Sequence, residues 1–335
     1  MFFPISSIFF FFFLVSGSIL SISSSSWFGA WIGLELNLLS FIPLITIKMN
    51  PYFSEAALKY FLIQALASTV IILSSSIFML FPNYSSLLLL LALFLKLGVA
   101  PFHFWFPQVM EGLLWPQAFI LMSIQKLAPM FLISYLMTNM ILTKILIIFS
   151  ILSALIGAIG GLNVLKLRTI LAYSSINHMS WMLIAISMNE MLWLTYFLFY
   201  ILISSSIVFL FNTIQAFSFS DLLNSNFKNS FYSLSLPLAL LSLGGLPPFT
   251  GFIPKWMMIQ ILMSNYMIVP LFFFLVSALI TLYFYMRILI PFLLMQNLMM
   301  SFNTKLSPYS YNFPFLSMFF FNFLGLIFPI PFLFS

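Results

Sequence analysis

Long apolar runs constrain the fold of this chain more than any other sequence feature. Most have about 20 residues, and short polar connections separate them. A helix rises ~1.5 Å per residue, so a run of this length spans the ~30 Å hydrocarbon core of a bilayer. We predict eleven spans, at residues 2–20, 26–46, 55–80, 85–112, 116–137, 142–162, 168–188, 190–215, 231–264, 266–291 and 313–333.

Composition favours an all-α polytopic membrane protein and excludes several other classes. The chain is 63% hydrophobic and 5% charged, which leaves no polar shell for a soluble domain. A transmembrane barrel would show ~10-residue segments of alternating hydrophobicity, whereas the apolar runs of this chain are continuous and about twice that length. The absence of cysteine excludes disulfides, iron–sulfur ligation and cysteine-based zinc sites. Basic residues occur singly, so we expect no nucleic-acid partner. The short connections leave no room for a soluble domain, so we predict one membrane domain over 1–335.

The basic residues predict the orientation in the membrane. With the N-terminus on the inner side, seven Lys and Arg residues fall at inner span ends and one at an outer end. This asymmetry matches the positive-inside rule. The inner set is Lys48, Lys59, Lys166, Arg168, Lys228, Arg287 and Lys305, and the outer residue is Lys144.

Two of the predicted spans are interrupted by glycine and proline. The fourth, SSLLLLLALFLKLGVAPFHFWFPQVMEG, breaks at Gly98 and Pro101, and the ninth breaks within LSLGGLPPFTGFIPKW. The breaks lie five spans apart, so the two five-span blocks have opposite orientations, as in inverted-repeat transporters. We predict a first five-helix repeat at 1–137, a second inverted repeat at 142–291 and a C-terminal helix at 313–333.

Titratable side chains also lie far from both predicted interfaces. A charge near the bilayer midplane costs roughly 2.5 to 3.5 kcal/mol, so four of them would cost ~10 to 14 kcal/mol without compensation. Such residues mark ion or proton pathways by default. Taken singly, a lysine could snorkel, the acid could only neutralise a lysine, and a histidine could be a packing residue. The six candidates are Glu35, Lys96, His103, Lys126, His178 and Lys255.

One acid and three lysines at similar depth suggest a charge switch. A carboxylate ~4 Å from an ammonium group in an effective dielectric of ~20 contributes ~4 kcal/mol, so making or breaking one pair is sufficient. We predict that Glu35 and Lys96 form this pair. Pro129, one turn after Lys126, predicts a loosened helix in the fifth span.

Six motifs occur in this order along the chain: WIGLELNLLSFIPL, EAALKYFLIQALAS, LKLGVAPFHFWFPQVMEG, IQKLAP, AYSSINHMSWM and LSLGGLPPFTGFIPKW. Together they resemble the chain 2 family of mitochondrial NADH:ubiquinone oxidoreductase, respiratory complex I. The resemblance covers roughly residues 27–287, and the first span and the tail after Pro291 match only in hydrophobicity.

The resemblance implies an antiporter-like, proton-pumping membrane-arm subunit of the mitochondrial inner membrane, with its N-terminus on the matrix side. It implies that NADH, FMN, iron–sulfur clusters and ubiquinone are bound by other subunits and that this chain holds no cofactor or metal. Expected partners are other membrane-arm and peripheral-arm subunits and lipids such as cardiolipin, with no homo-oligomer. The implied proton-translocating residues are Glu35, Lys96, Lys126 and Lys255, and His103 and His178 extend the relay.

Two alternatives stay open at this point. One is a free-standing cation/proton antiporter with the same repeat fold, against which the shortened N-terminal region and the chain 2 motifs argue. The other is a non-pumping assembly scaffold whose buried charges have no transport role. Neutral replacement of Lys96 or Lys126 would support the scaffold if pumping survived unchanged.

Overall fold

The computed structural model describes residues 5–47, 50–137, 139–224 and 230–298. Over these ranges the chain consists of helices and short connections, with one isolated β-bridge between Lys166 and Ser218. The helices are α1 (Ile5–Ser23), α2 (Trp27–Ile45), α3 (Pro51–Ile77), α4 (Pro82–Leu97), α5 (Trp105–Gly112), α6 (Trp115–Met122), α7 (Ile124–Leu136), α8 (Met140–Gly160), α9 (Leu167–Met188), α10 (Glu190–Ile214), α11 (Phe219–Asn224), α12 (Ser230–Gly244), α13 (Phe252–Ser264) and α14 (Ile268–Leu298).

Ordinary capping chemistry sets many of the helix ends. Ser26 accepts a hydrogen bond from Gly29 N at the start of α2, and Asn189 accepts one from Met191 N at the start of α10. Pro51 and Pro82 occupy the first turns of α3 and α4, where the missing N–H has no intrahelical partner to lose. These signals fix where spans begin in an otherwise uniformly apolar sequence.

The predicted polytopic helical class is confirmed. Seven helical segments of the described chain are long and apolar enough to cross a membrane, with α6 and α7 counted together. The central helix α9 is not among them, because it carries Ser, Asn and His side chains that are buried within the protein. The predicted C-terminal helix at 313–333 lies outside the described residues, as do Lys48, Lys228 and Lys305.

Both predicted breaks are present, and the structure contains a third. The fourth span divides into α4 and α5, and the ninth divides into α12 and α13. The fifth span is not the continuous helix that we predicted, because Ser123 (φ −112°, ψ −83°) separates α6 from α7. The Ser123 hydroxyl donates to Phe119 O at 2.6 Å, and Ser123 N donates to the same oxygen at 3.0 Å, so one carbonyl accepts both bonds at the end of α6. Pro129, where we expected the distortion, lies inside α7.

Two helix pairs pack backbone to backbone in the same way. A Cβ on Gly17 of α1 would lie 2.9 Å from Asn37 N of α2, and a Cβ on Gly157 of α8 would lie 2.7 Å from Asn177 N of α9. Gly157 and Asn177 each follow their counterparts by 140 positions. This correspondence supports the predicted inverted repeats, whose boundaries stay a prediction.

Polar contacts at the predicted inner side join the two halves and also hold the helix ends of the second half together. Lys166 and Glu111 form an ion pair, and the Arg168 guanidinium donates to Leu113 O, at the end of α5. Leu167 N donates to Phe217 O at 3.0 Å. Arg287 of α14 donates to Leu162 O after α8. Basic side chains thus bind carbonyls at helix C-termini, where the helix dipole favours cations.

Candidate functional site

The first break places Lys96 at the end of a half-helix. α4 ends at Leu97, and Gly98 adopts φ 71°, a conformation that is open to glycine. Side chains from elsewhere satisfy the freed carbonyls. Trp105 Nε1 donates to Leu95 O at 3.1 Å, and Gln64 Nε2 donates to Lys96 O at 3.1 Å. The Lys96 side chain is 7% exposed.

Glu35 lies on α2, close enough for its charge to act on Lys96 and on Tyr60. The two do not form a direct ion pair. Within the described residues, the ion pairs closer than 4.0 Å are Lys59–Glu55 and Lys166–Glu111. The predicted Glu35–Lys96 switch therefore has its partners in electrostatic range without contact, and its role stays a prediction.

A cavity of about 20 Å³ lies between Lys96 and Lys126 and is lined by both. That volume holds about one water molecule. Four uncharged polar side chains share the wall: Asn37, Tyr60, Gln64 and Gln125. Leucines, Trp105, Phe106 and Pro129 close the remainder. The cavity therefore connects two of the predicted lysines through polar groups.

Lys126 lies three residues into α7, immediately after the break at Ser123. Its Nζ donates to Ser175 O at 3.4 Å and lies 5.0 Å from the ring centre of Phe106 and 5.6 Å from that of Tyr200. Aromatic faces at these distances attract a cation. Lys126 also lies at the N-terminus of α7, where the positive end of the helix dipole disfavours a cation. The surroundings of Lys126 thus contain opposing effects on its charge.

His178 is buried on α9, within electrostatic range of both Lys126 and Lys255. Its Nδ1 is 3.0 Å from the Tyr196 hydroxyl. Lys255, on α13, donates to Gly244 O at 2.8 Å across the second break. The structure therefore brings Lys96, Lys126, His178 and Lys255 into one buried series.

His103 is placed differently from the other candidates. It is buried in the turn between α4 and α5, its Nδ1 lies 3.2 Å from Pro101 O, and its ring packs 4.2 Å from that of Phe104. In the described part of the chain, no contact links it to the lysines. A relay role for His103 stays a prediction without a geometric basis here.

Sequence reasoning assigned no role to the tyrosines and amides around the lysines. The Tyr60 hydroxyl donates to Gln125 Oε1 at 3.2 Å. The ring of Tyr200 lies 5.6 Å from the ammonium group of Lys126, the residue that follows Gln125 in the chain. Tyr200 follows Tyr60 by 140 positions, the spacing that also separates Asn37 from Asn177. Comparing the two predicted repeats residue by residue would have found these positions. Equivalent tyrosines of the two halves thus contact two adjacent residues, Gln125 and Lys126.

Fold and site together define an antiporter-like polytopic membrane protein with a series of buried lysines. The sequence matches the family described as NADH:quinone oxidoreductase/Mrp antiporter, TM, over residues 24–281. It is 47% identical over 319 residues to NADH-ubiquinone oxidoreductase chain 2 of Anopheles gambiae, covering 91% of this chain and 92% of that one. The Aedes aegypti relative of the same name is 47% identical over 293 residues, or 84% of each chain.

A solved structure shows the same fold. A chain of respiratory complex I from Thermus thermophilus with bound aureothin superposes with a TM-score of 0.82 at 23% identity, covering 98% of this chain and 80% of that one. The chain belongs to the NADH:quinone oxidoreductase/Mrp antiporter family and, within it, to the NADH-ubiquinone oxidoreductase chain 2 subunits. The resemblance in the six sequence motifs is thereby confirmed.

Proposed function

We propose that this chain is a proton-translocating subunit in the membrane arm of respiratory complex I. The observation that carries the proposal is the cavity lined by both Lys96 and Lys126, in a chain of the antiporter-like family. Electron transfer from NADH to ubiquinone in other subunits drives the protons, each of which needs ~2.3 kcal/mol per 100 mV of membrane potential.

The roles follow the order of the buried groups. Lys96 loads a proton under the influence of Glu35, and Lys126 passes it from the first half to the second. His178, between the charges of Lys126 and Lys255, continues the series. Lys255 exchanges with the far side or with the next subunit. His103 is the least supported member of the relay.

The same proposal covers the setting of the chain. NADH, FMN, the iron–sulfur clusters and ubiquinone are bound by other subunits, and this chain holds no redox centre. It lies in the mitochondrial inner membrane with its N-terminus on the matrix side, in contact with other complex I subunits and with lipids such as cardiolipin. We expect no homo-oligomer.

The decisive test measures protons moved per NADH oxidised by the assembled complex in sealed vesicles. Lys126→Met should lower this ratio while uncoupled NADH oxidation continues. Lys144→Met is the matched control, because Lys144 is exposed near the start of α8, and it should leave the ratio unchanged. An unchanged ratio in Lys126→Met would refute the proposal and favour the scaffold. Glu35→Gln tests the Glu35–Lys96 switch by the same assay. If this pair controls proton loading, removing the carboxylate charge should slow pumping.

The family name also includes Mrp antiporters, which keeps a free-standing cation/proton antiporter as the second candidate. A native gel of mildly solubilised membranes separates the two. Comigration of this chain with a large band that oxidises NADH supports the complex I subunit. Migration as a small species without NADH activity, together with sodium or potassium exchange against a pH gradient, would support the antiporter.

A further inference from the structure

Two of the residues that line the cavity with Lys96 and Lys126 each carry a buried polar atom with unused hydrogen-bonding capacity. Asn37 is 2% exposed, and its Oδ1 has no partner among the described residues. Gln125 Nε2 is buried and, in the same part of the chain, is also without a partner. Both residues line the cavity. Buried polar atoms in native proteins are nearly always paired with protein or with ordered water, so these two atoms point to a ligand.

The orientation of Gln125 makes the pair complementary. The Tyr60 hydroxyl donates to Gln125 Oε1 at 3.2 Å, which leaves the amide nitrogen as the free end. Nε2 is a donor and Asn37 Oδ1 is an acceptor. A water molecule is complementary to this pair, because its oxygen accepts from Nε2 and its O–H donates to Oδ1. A cavity of about 20 Å³ is sufficient for it, because one water needs roughly 10 to 15 Å³ by this measure.

We propose that Asn37 and Gln125 hold one water molecule that passes protons from Lys96 to Lys126. In this step the Lys96 ammonium gives a proton to the water oxygen, and the water gives one of its own protons to the neutral Lys126 amine. The water is regenerated, and one positive charge has moved from α4 to α7. Asn37, Gln125 and, through Gln125, Tyr60 are positioning residues. The inference rests on the proposed proton-translocating function.

The second half of the chain supplies a contrast. Asn177, the counterpart of Asn37, donates from Nδ2 to Ala154 O at 3.2 Å and joins α9 to α8. Its amide is therefore used in packing, whereas Asn37 lines the cavity and its Oδ1 has no partner among the described residues. A substitution at Asn177 thus reports what the loss of a structural amide does, and a substitution at Asn37 reports the loss of a water ligand.

The test compares Asn37→Leu and Gln125→Met in the assembled complex in sealed vesicles. We expect proton transfer coupled to NADH oxidation to slow about tenfold, equivalent to about 1.4 kcal/mol, and the solvent deuterium isotope effect on pumping to change. Uncoupled NADH oxidation should stay at the wild-type rate. Asn177→Leu should reduce the amount of assembled complex, but the complex that assembles should pump with the normal ratio and isotope effect.

A density map of the wild-type complex that resolves ordered water gives an independent readout, even where a variant fails to assemble. Water within about 3.2 Å of both Asn37 Oδ1 and Gln125 Nε2 is the expected result, and a dry cavity overturns the proposal. If Lys126→Met lowers the proton ratio but Asn37→Leu and Gln125→Met do not, the water site is wrong and the proposed function stands. If Lys126→Met has no effect, the proposed function fails first.

Discussion

The two broken helices share a backbone geometry but use their lysines differently. Each first half-helix ends at a glycine of positive φ, Gly98 at 71° and Gly245 at 78°. Lys96 precedes its glycine on the first half-helix, whereas Lys255 follows on the second half-helix. The lysines of the two breaks are therefore not at equivalent positions, although both are buried beside the freed backbone.

The difference lies in what satisfies the freed carbonyls. In the first break, Gln64 and Trp105 donate to them, and Lys96 Nζ donates no hydrogen bond to a protein atom of the described residues. In the second break, the Lys255 ammonium itself donates to Gly244 O, and its aliphatic chain packs against Gly245. Lys96 can thus change its charge with the backbone held by other groups, whereas Lys255 is a charge and a structural cap together.

The largest predicted effect tests how tightly the second break is packed. A Cβ on Gly251 would overlap the carbonyl oxygen of Ser242, so neither backbone can move aside cheaply. We expect Gly251→Ala to cost more than about 4 kcal/mol and to abolish assembly, measured as the amount of complex on a native gel.

Gly244→Ala is the control for this prediction. A Cβ there meets only side-chain atoms of Tyr285 and Leu282 at 3.7 and 3.9 Å, which is ordinary contact. Near-normal assembly is expected for that variant. The positive-φ glycines of the two breaks, Gly98 and Gly245, are 147 positions apart. By the same offset, Gly251 corresponds in the first break to Phe104, which is 70% exposed. Normal assembly of Gly251→Ala would mean that the second break is no tighter than the first.

The next effect separates charge from capping. Lys255→Met removes a charge and also leaves Gly244 O without its donor, which costs roughly 1 to 3 kcal/mol for a buried group. Lys96→Met removes a charge only. We expect Lys255→Met to lower both the assembled amount and the protons moved per NADH, and Lys96→Met to lower only the second. Equal loss of assembly in both variants would contradict the difference between the breaks.

A smaller loss of stability is expected at Leu95 O, because two donors share this carbonyl. Trp105→Phe removes the indole donor to Leu95 O, but Gly98 N still reaches that oxygen at 3.3 Å. The expected loss is about 0.5 to 1.5 kcal/mol, read as a decrease in the thermal unfolding midpoint. Trp181→Phe is the matched control, because Trp181 is equally buried and its Nε1 has no partner among the described residues. The two variants differ in stability only if the indole bond holds the break.

The sequence was sufficient to predict the breaks and the buried lysines, for physical reasons. Glycine and proline interrupt helices wherever they occur, and a charge within an apolar run is conspicuous at any position. The break at Ser123 carries neither signal, because the residue there is a serine whose hydroxyl bonds locally to Phe119 O beside the backbone N–H. Local hydrogen bonding of this kind is common in helices that remain continuous, so the pattern alone does not distinguish the cases.

The groups that complete the site could not be assigned from pattern alone. Gln64 binds a carbonyl 32 positions away, and Tyr60 binds Gln125 65 positions away, so both contacts depend on how α3 packs. The spacing of 140 positions between Tyr60 and Tyr200 was available in the sequence. It carries no chemistry by itself, because Glu35 in the first half corresponds to Ser175 in the second.

The smallest predicted effect concerns Asp221, a carboxylate outside both breaks. It lies in the first turn of α11 and accepts hydrogen bonds from Ser218 N at 2.8 Å and Phe217 N at 3.1 Å, and the bond from Ser218 lowers the pKa of its carboxyl. Because the folded pKa is below the unfolded value of about 3.9, the stabilisation is complete above that pH and disappears as pH falls through the folded pKa. Asp221→Asn should therefore lower the thermal midpoint slightly at neutral pH and not at all in acid, since the carboxylate is exposed and screened. Thermal scans of both proteins from about pH 3 to pH 7 check this.

Trp105→Phe, whose lost bond does not titrate, should keep its difference in thermal midpoint from wild type across the same pH range. A difference that vanished in acid would show that the first break depends on a titrating group.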